Sequence, residues 1–201
     1  MNTHAAVLTC AAPWVELRPP TTEDGARIWR LVKESPPLEL NSCYAYVLLC
    51  RDFHDTCIVA EADNGLAGFV CGYRRPASPD TVFVWQVAVG PCGRKRGLGV
   101  TMLVALLAGE ANRDLRYLEA TVTPSNEASQ RLFRKLAREL QTGCEETPGI
   151  AAHCFGDGQH EEEVLFRVGP TNPAILSEAR LRLLKTRSEY SDIDLIQQTR
   201  Q

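Results

Sequence analysis

Residues 81–99 constrain the fold more than any other stretch: TVFVWQVAV followed without a break by GPCGRKRGLG. The first nine residues are β-branched or aromatic at nearly every place, the composition of a strand in the middle of a sheet. The next ten bring four glycines and three consecutive cations, Arg94, Lys95 and Arg96. An apolar run with Leu103, Leu106 and Leu107 on one face follows. A strand that ends in a glycine-rich cationic turn and re-emerges as a helix places unpaired helical N–H groups, the positive end of the helix dipole and formal positive charge at one point. That is an anion site, and glycine lets a phosphate approach without a Cβ in the way. The expected ligand is a pyrophosphate.

Spacing narrows the choice. The Gly-Lys-Ser/Thr ending of a Walker loop is absent, and the third glycine of GxGxxG would fall where Met102 stands. What remains is Arg94-x-x-Gly97-x-Gly99. Taken alone, Arg94–Arg96 also reads as a solvated basic turn. A nucleic-acid surface would call for further basic patches or interleaved aromatic platforms, and the chain offers one patch.

Around this segment the pattern alternates strand and helix. Val15–Arg18 alternates as a strand, and Ile28, Leu31 and Val32 fall at helical spacing before Pro36-Pro37. Asn41-Ser42 caps a short apolar helix from Cys43 to Asp52. Thr56–Glu61 and Ala67–Tyr73 flank Asp63-Asn64-Gly65, a hairpin signal. Pro76–Asp80 reads as a loop, and the helix after the glycines is expected to run to about Ala111. Tyr117–Val122 is a strand, Asn126 starts a helix with Leu132, Phe133 and Leu136 inward, and Glu163–Val168 is the final strand. This order predicts an α/β protein with a mixed (α+β) single central sheet flanked by helices.

The 201 residues suit one domain, expected at 14–168, with a flexible N-terminus at 1–13 and an appendage at 169–201. Within that appendage Ala174–Arg187 forms a basic amphipathic helix that either packs on the domain or a second subunit or is loosely ordered. Charge is nearly balanced, 22 Lys and Arg against 25 Asp and Glu, which gives no global attraction to nucleic acid or anionic membrane. No apolar stretch is long enough for a membrane span, and the first seventeen residues lack the basic start of a secretory signal. Eight cysteines without a CxxC pair sit mostly in apolar runs, which fits a reducing cytoplasm. His153, Cys154 and His160 match no common zinc spacing, so no metal is expected.

The Arg94–Gly99 loop in this setting resembles the pyrophosphate signature of the GNAT acyl-CoA N-acetyltransferase superfamily. Further segments narrow the likeness: LELNSCYAY at 38–46, DTCIVA at 55–60, GFVCGY at 68–73, PDTVFVWQVAV at 79–89, TVTPSN at 121–126 and HEEE at 160–163. Together they resemble the diaminobutyrate acetyltransferase family of ectoine biosynthesis, over about Trp14–Val168. The resemblance implies a GNAT-like fold and acetyl transfer from acetyl-CoA to the γ-amine of L-2,4-diaminobutyrate, without metal, in a cytoplasmic homodimer serving osmoadaptation. It also implies that Val87, Ala88 and Val89 meet the pantetheine arm, that Arg94, Lys95, Arg96, Gly97, Leu98 and Gly99 hold the pyrophosphate, and that Asn126 reaches the cofactor. Substrate contacts carry over to Glu39, Tyr44, Trp85, His160 and Glu163.

Chemistry gives these positions roles. Glu39 and Glu163 would attract a cationic diamine, and Trp85 could face its ammonium, although alternation leaves open a plain core position. Glu163 is the first candidate base, His160 the second, and Tyr44 a candidate acid only if it lies near the sulfur. Strand alternation puts His160 and Glu163 on opposite faces, so a bend or bulge must precede the last strand. Two departures from the family pattern stand out: Phe133 at the place where many relatives present a Tyr acid, and Glu39 where Asp is more usual. Acetyltransferases for ornithine, a polyamine or another small amine would share the loop and differ in the pocket. A non-catalytic acyl-CoA-binding module is the reading from another class.

Overall fold

The computed structural model describes residues 15–36, 38–63, 65–156 and 160–183. The expected N-terminal segment 1–13, with Trp14 where the domain was expected to begin, and the tail from 184 onward lie outside the described residues. Seven strands form one sheet in the order β1-β2-β3-β4-β5-β7-β6. They are β1 (Val15–Arg18), β2 (Ile58–Ala62), β3 (Gly65–Arg75), β4 (Ser78–Val89), β5 (Tyr117–Val122), β6 (Gly143–Ile150) and β7 (Glu163–Gly169). Every neighbouring pair is antiparallel except β4 and β5. The helices are α1 (Asp24–Lys33), α2 (Cys43–Asp52), α3 (Leu98–Leu107), α4 (Glu127–Glu139) and α5 (173–183).

Two cores lie on the two faces of the sheet. On one, the almost wholly buried α3 joins α4 over Val70, Val82, Val84, Leu118, Ala120 and Phe166. Phe133, an inward residue of α4, packs on Phe166 with ring centroids 6.1 Å apart. Helix α5 adds Leu176 and Ala179 to this core, and Arg182 pairs with Glu139, so the start of the tail is packed on the domain. On the other face α1 and α2 cover Val59, Phe69, Cys71 and Ala88. Among the described residues no helix covers that face over β5, β7 and β6.

Where the chain departs from the sequence reading, local composition explains it. β4 begins at Ser78, so the loop shrinks to the turn at Pro76-Ala77. α3 stops at Leu107, short of Ala111, because the backbone turns at Gly109 into a short 3-10 segment, Glu110–Asn112. β6 was not expected: GCEETPGI is largely exposed, carries Pro and Gly, and is tolerated as a strand because it lies at the sheet edge.

A partly buried ion cluster around the buried Asp24 ties α1 to the sheet. Arg18 bonds Asp24 at 2.7 and 3.0 Å and Glu61 at 2.7 Å, while Arg27 bridges Asp24 at 2.9 Å and Glu61. Burial raises the Asp24 carboxyl, but the hydrogen bonds from Arg18, the Thr21 backbone N–H and Arg27 outweigh it and hold the pKa down at about 2. A carboxyl below its unfolded value stabilises the fold above pH 4 and loses that contribution as pH falls toward 2. Asp24→Asn is therefore expected to cost on the order of 2 kcal/mol near neutrality and little at pH 2, as read by urea unfolding at both pH values. An equal loss at both would remove the ion cluster as the cause. Desolvation pushes the Cys50 thiol up to about 11 and that of Cys57 up to about 12, and Cys71 well above its usual range; these are packing residues and poor nucleophiles.

Candidate active site

The site follows from one defect in pairing. β4 lies against β5 only where Thr81–Phe83 meets Tyr117–Glu119, yet β4 continues to Val89 and β5 to Val122. Past Phe83 the strands exchange no further ladder bonds among the described residues. The N–H and C=O groups of Val87 and Val89 point away from β3 and border a cleft where an extended amide-bearing chain can bond as an added strand would, whereas Ala88, paired with Phe69, turns its own toward β3.

At the cleft's end stands the cationic loop. Gly97 caps α3 in the left-handed region (φ 75°, ψ 6°), a conformation glycine takes at no steric cost. The first i→i−4 helical bond there is Thr101 N–H to Gly97 C=O, 3.1 Å, so the N–H groups of Leu98, Gly99 and Val100 precede the ladder and remain donors. Arg94, Lys95 and Arg96 are exposed around them, with Arg94 Nε bonded to the Val89 carbonyl at 3.1 Å. Leu132 of α4 packs on Gly99. One turn later the Lys135 ammonium lies 4.0 Å from where a Gly97 Cβ would stand, a cation whose place beside the loop no sequence pattern marks. The Asn126 side-chain oxygen accepts from Ser129 N–H at 3.1 Å and caps α4; its amide nitrogen is left without a partner among the described residues.

A β-bulge decides which way the strand residues point. On β3 and β4, Cys71 pairs with Gln86 and Gly72 with Val84, so Trp85 is the extra residue. Gly72 is required there, because a Cβ would come within 2.4 Å of the Phe83 carbonyl oxygen. The bulge interrupts the alternation and sets both Trp85 and Gln86 on the face away from α3. Val84 and Val87 point toward α3 on either side. Trp85 is therefore 45% exposed and not a core residue.

Register brings Glu163 to the same face. Glu119, opposite Arg167, is buried beneath the guanidinium groups of Arg75 and Arg167, away from α3. Residues two and four back from Arg167 on β7 share its side, which places Glu163 there, at the end of the sheet where β4 and β5 separate. β7 starts at Glu163, so His160–Glu162 lies outside the strand and its alternation does not govern where His160 points. His160 Nε2 lies 3.8 Å from Glu163 Oε1. The His160 ring stacks on Phe155 at 3.9 Å, and its Nδ1 lies 2.7 Å from the Glu161 carbonyl oxygen. A carbonyl only accepts, so the proton is on Nδ1 and the Nε2 lone pair faces Glu163 in the neutral ring. Glu161 bonds Ser125, tying this segment to the β5–α4 corner beside Asn126. A cavity of about 360 Å³ opens next to Glu163, bordered by Thr147, Gly149, Ile150 and Glu162.

The α1–α2 connection approaches from the other side. Gln86 Nε2 donates to the Glu39 carbonyl at 2.8 Å, fixing that residue over β4. Tyr44 is 68% exposed on the first turn of α2, with no hydrogen bond to Trp85, His160 or Glu163 among the described residues. Phe133 is turned into the α4 core, so that position supplies no acid to the cleft.

Comparison with known proteins agrees with this geometry. The acetyltransferase (GNAT) family model matches residues 25–137. The chain is 45% identical over 170 residues to the L-2,4-diaminobutyric acid acetyltransferase of Shouchella clausii (strain KSM-K16), covering 85% of this chain and 94% of that protein. It is 48% identical over 151 residues to the enzyme of the same name from Marinococcus halophilus, covering 75% and 87%. Among solved structures, the diaminobutyrate acetyltransferase of Paenibacillus lautus, in complex with its substrate L-2,4-diaminobutyric acid and coenzyme A, superposes with a TM-score of 0.75 at 43% identity, covering 79% of this chain and 96% of that one. The ribosomal-protein-S18-alanine N-acetyltransferase of Escherichia coli, at 17% identity and a TM-score of 0.60, shares the fold. By sequence and by architecture alike, the chain belongs to the GNAT family of acetyltransferases, among the L-2,4-diaminobutyric acid acetyltransferases.

Proposed function

We propose that the protein transfers acetyl from acetyl-CoA to the γ-amine of L-2,4-diaminobutyrate, giving N-γ-acetyl-2,4-diaminobutyrate for ectoine biosynthesis and hence osmoadaptation. The observation that carries this reading is the convergence of a phosphate-binding helix start, an unpaired strand edge and an acid-bearing open face at one end of the sheet, in a chain 43% identical to a structure holding diaminobutyrate and coenzyme A. The cytoplasm and a homodimer complete the reading. Four cysteines placed as packing residues or half-buried inside the domain, Cys50, Cys57, Cys71 and Cys144, support the first, and exposed Leu40, Tyr44 and Trp85 support the second.

The attacking nitrogen must be neutral, whereas an aliphatic ammonium has a pKa near 10. In this reading Glu163, beside the cleft, accepts the proton directly or through water, and His160 Nε2 can take it on from there. The amine lone pair adds to the thioester carbonyl, and backbone N–H groups of Val87 and Val89 stabilise the oxyanion. The adduct's nitrogen gives up its second proton to water or to the departing sulfur, and collapse expels coenzyme A, which needs no dedicated acid because a thiol of pKa about 8.5 leaves as its anion. Glu39 and Glu163 orient the cationic substrate, with Trp85 against an ammonium.

Thiol release measured with diaminobutyrate, diaminopropionate, ornithine and lysine tests the assignment. One methylene is worth roughly 10- to 200-fold in kcat/KM in a fitted pocket, so diaminobutyrate is expected to exceed each of the others by at least about tenfold. Equal or faster turnover of ornithine would move the substrate to a longer diamine. Binding of acetyl-CoA with no transfer to any amine would reduce the protein to a cofactor-binding module.

A further inference from the structure

Gln86 has no role in the reaction as described above, yet it links Glu39 of the α1–α2 connection to the strand that carries Trp85. The bulge turns it to the face of Trp85, its chain neighbour. Its Oε1 accepts a hydrogen bond from the Tyr46 hydroxyl at 2.9 Å, and its Nε2 donates to the Glu39 carbonyl at 2.8 Å. Tyr46 is 1% exposed, and its oxygen in turn lies 3.4 Å from the Asn41 N–H that donates to it. The α1–α2 connection is thus held at Glu39 and at Asn41, both through one relay rooted in β4.

The relay has a fixed polarity. The Asn41 N–H can only donate, so the phenol oxygen accepts there and spends its proton on Gln86; Gln86 must then present oxygen to Tyr46, which leaves its NH2 for the Glu39 carbonyl. A glutamate at 86 could satisfy Tyr46 but would set an acceptor against the carbonyl of residue 39. Leu38 packs against the α1–α2 core, whereas the next two residues, Glu39 and Leu40, are exposed and outside regular structure.

The geometry points to Gln86, oriented by Tyr46, as a positioning residue that fixes where the Glu39 carboxylate stands relative to Trp85, and so sets which amine fits. This rests on the reading of Glu39 as a substrate contact. The relay also gives the longer side chain at 39 a mechanical setting, because the backbone carbonyl is the anchored atom and the carboxylate's reach is counted from it.

Gln86→Glu tests the relay, with the near-isosteric Gln86→Met and the milder Tyr46→Phe beside it in case the charge unfolds the chain. The expected result is a tenfold or greater rise in KM for the diamine, a change of less than twofold in the dissociation constant of coenzyme A, and faster hydrogen exchange of amides 38–42 in all three variants. Unchanged exchange at 38–42 in both Gln86 variants would overturn the relay whatever the substrate. Faster exchange with unaltered diamine KM, and an equally silent Glu39→Gln, would remove Glu39 as a substrate contact and the positioning role with it. A parallel loss of coenzyme A affinity would make Gln86 a structural residue of the whole strand.

Discussion

Gly97→Glu is expected to abolish coenzyme A binding while leaving a folded protein. Gly97 stands at φ 75° at the start of α3, so any L side chain there bears a backbone cost of roughly 1–2 kcal/mol. That is a modest part of the roughly 5–15 kcal/mol of a typical domain, so the fold survives with a melting temperature lower by a few degrees. Nothing crowds the added Cβ; its nearest neighbour is the Lys135 ammonium at 4.0 Å. The glutamate carboxylate is then free to occupy the place meant for the ligand, neutralising the cations and meeting the helix dipole that would have met a phosphate. A diphosphate must displace it or share the site with another negative charge. A loss of at least about 100-fold in affinity, near 2.7 kcal/mol, is the expected reading by calorimetry. Gly97→Ala separates the two contributions: it keeps the backbone cost, adds no charge, and should weaken binding by about tenfold or less. Unaltered affinity in the glutamate variant would place the diphosphate elsewhere.

The loop, the strand before it and the helix after it could be read from the sequence because each rests on local chemistry. Glycines and cations announce a phosphate loop, and leucines at helical spacing announce a packed helix. The same holds for the Ser42 cap, whose oxygen accepts from Ala45 N–H at 3.2 Å, and for the β2–β3 hairpin. What escaped reading is set by pairing between distant segments. Trp85 could not be assigned a face because the bulge that turns it outward depends on Gly72 of another strand. β6 was missed because its pattern is that of an exposed edge, and only β7 makes it a strand. Gln86 sits unremarked in an apolar run until the fold brings Tyr46 and Glu39 to it. Lys135 is one of several basic residues on α4, and the packing of that helix on α3, with Leu132 against Gly99, brings it to the loop. The His160–Glu163 pair lies between these cases: alternation demanded a bend, and the chain does leave the strand before Glu163.

Glu163→Gln carries the other large effect, and its pH dependence separates a base from a binding carboxylate. The substitution keeps the size and hydrogen-bonding capacity of the side chain and removes its ability to accept a proton. Loss of a positioned general base typically costs 10²- to 10⁴-fold, so kcat near neutrality is expected to fall by about 10²- to 10³-fold. Coenzyme A affinity should stay within about twofold, because the cradle lies on another loop. With a side-chain amine of pKa near 10, only about one molecule in a thousand is neutral at pH 7, and that fraction grows tenfold per pH unit. In the variant, turnover should therefore climb about tenfold per unit toward pH 10, where free amine no longer needs a base and the deficit against the parent shrinks to less than about tenfold. A residue that only bound the ammonium would behave otherwise: KM would rise, and the deficit in kcat would stay constant or absent at every pH. His160→Gln supplies the comparison. In the proposed reaction Glu163 receives the proton first and His160 Nε2, 3.8 Å from its Oε1, second, so the loss of His160 should cost about tenfold and leave the pH slope of the parent intact. If His160→Gln proved the more damaging of the two, the roles would be exchanged, with the imidazole as base and Glu163 holding the positive charge that forms on it.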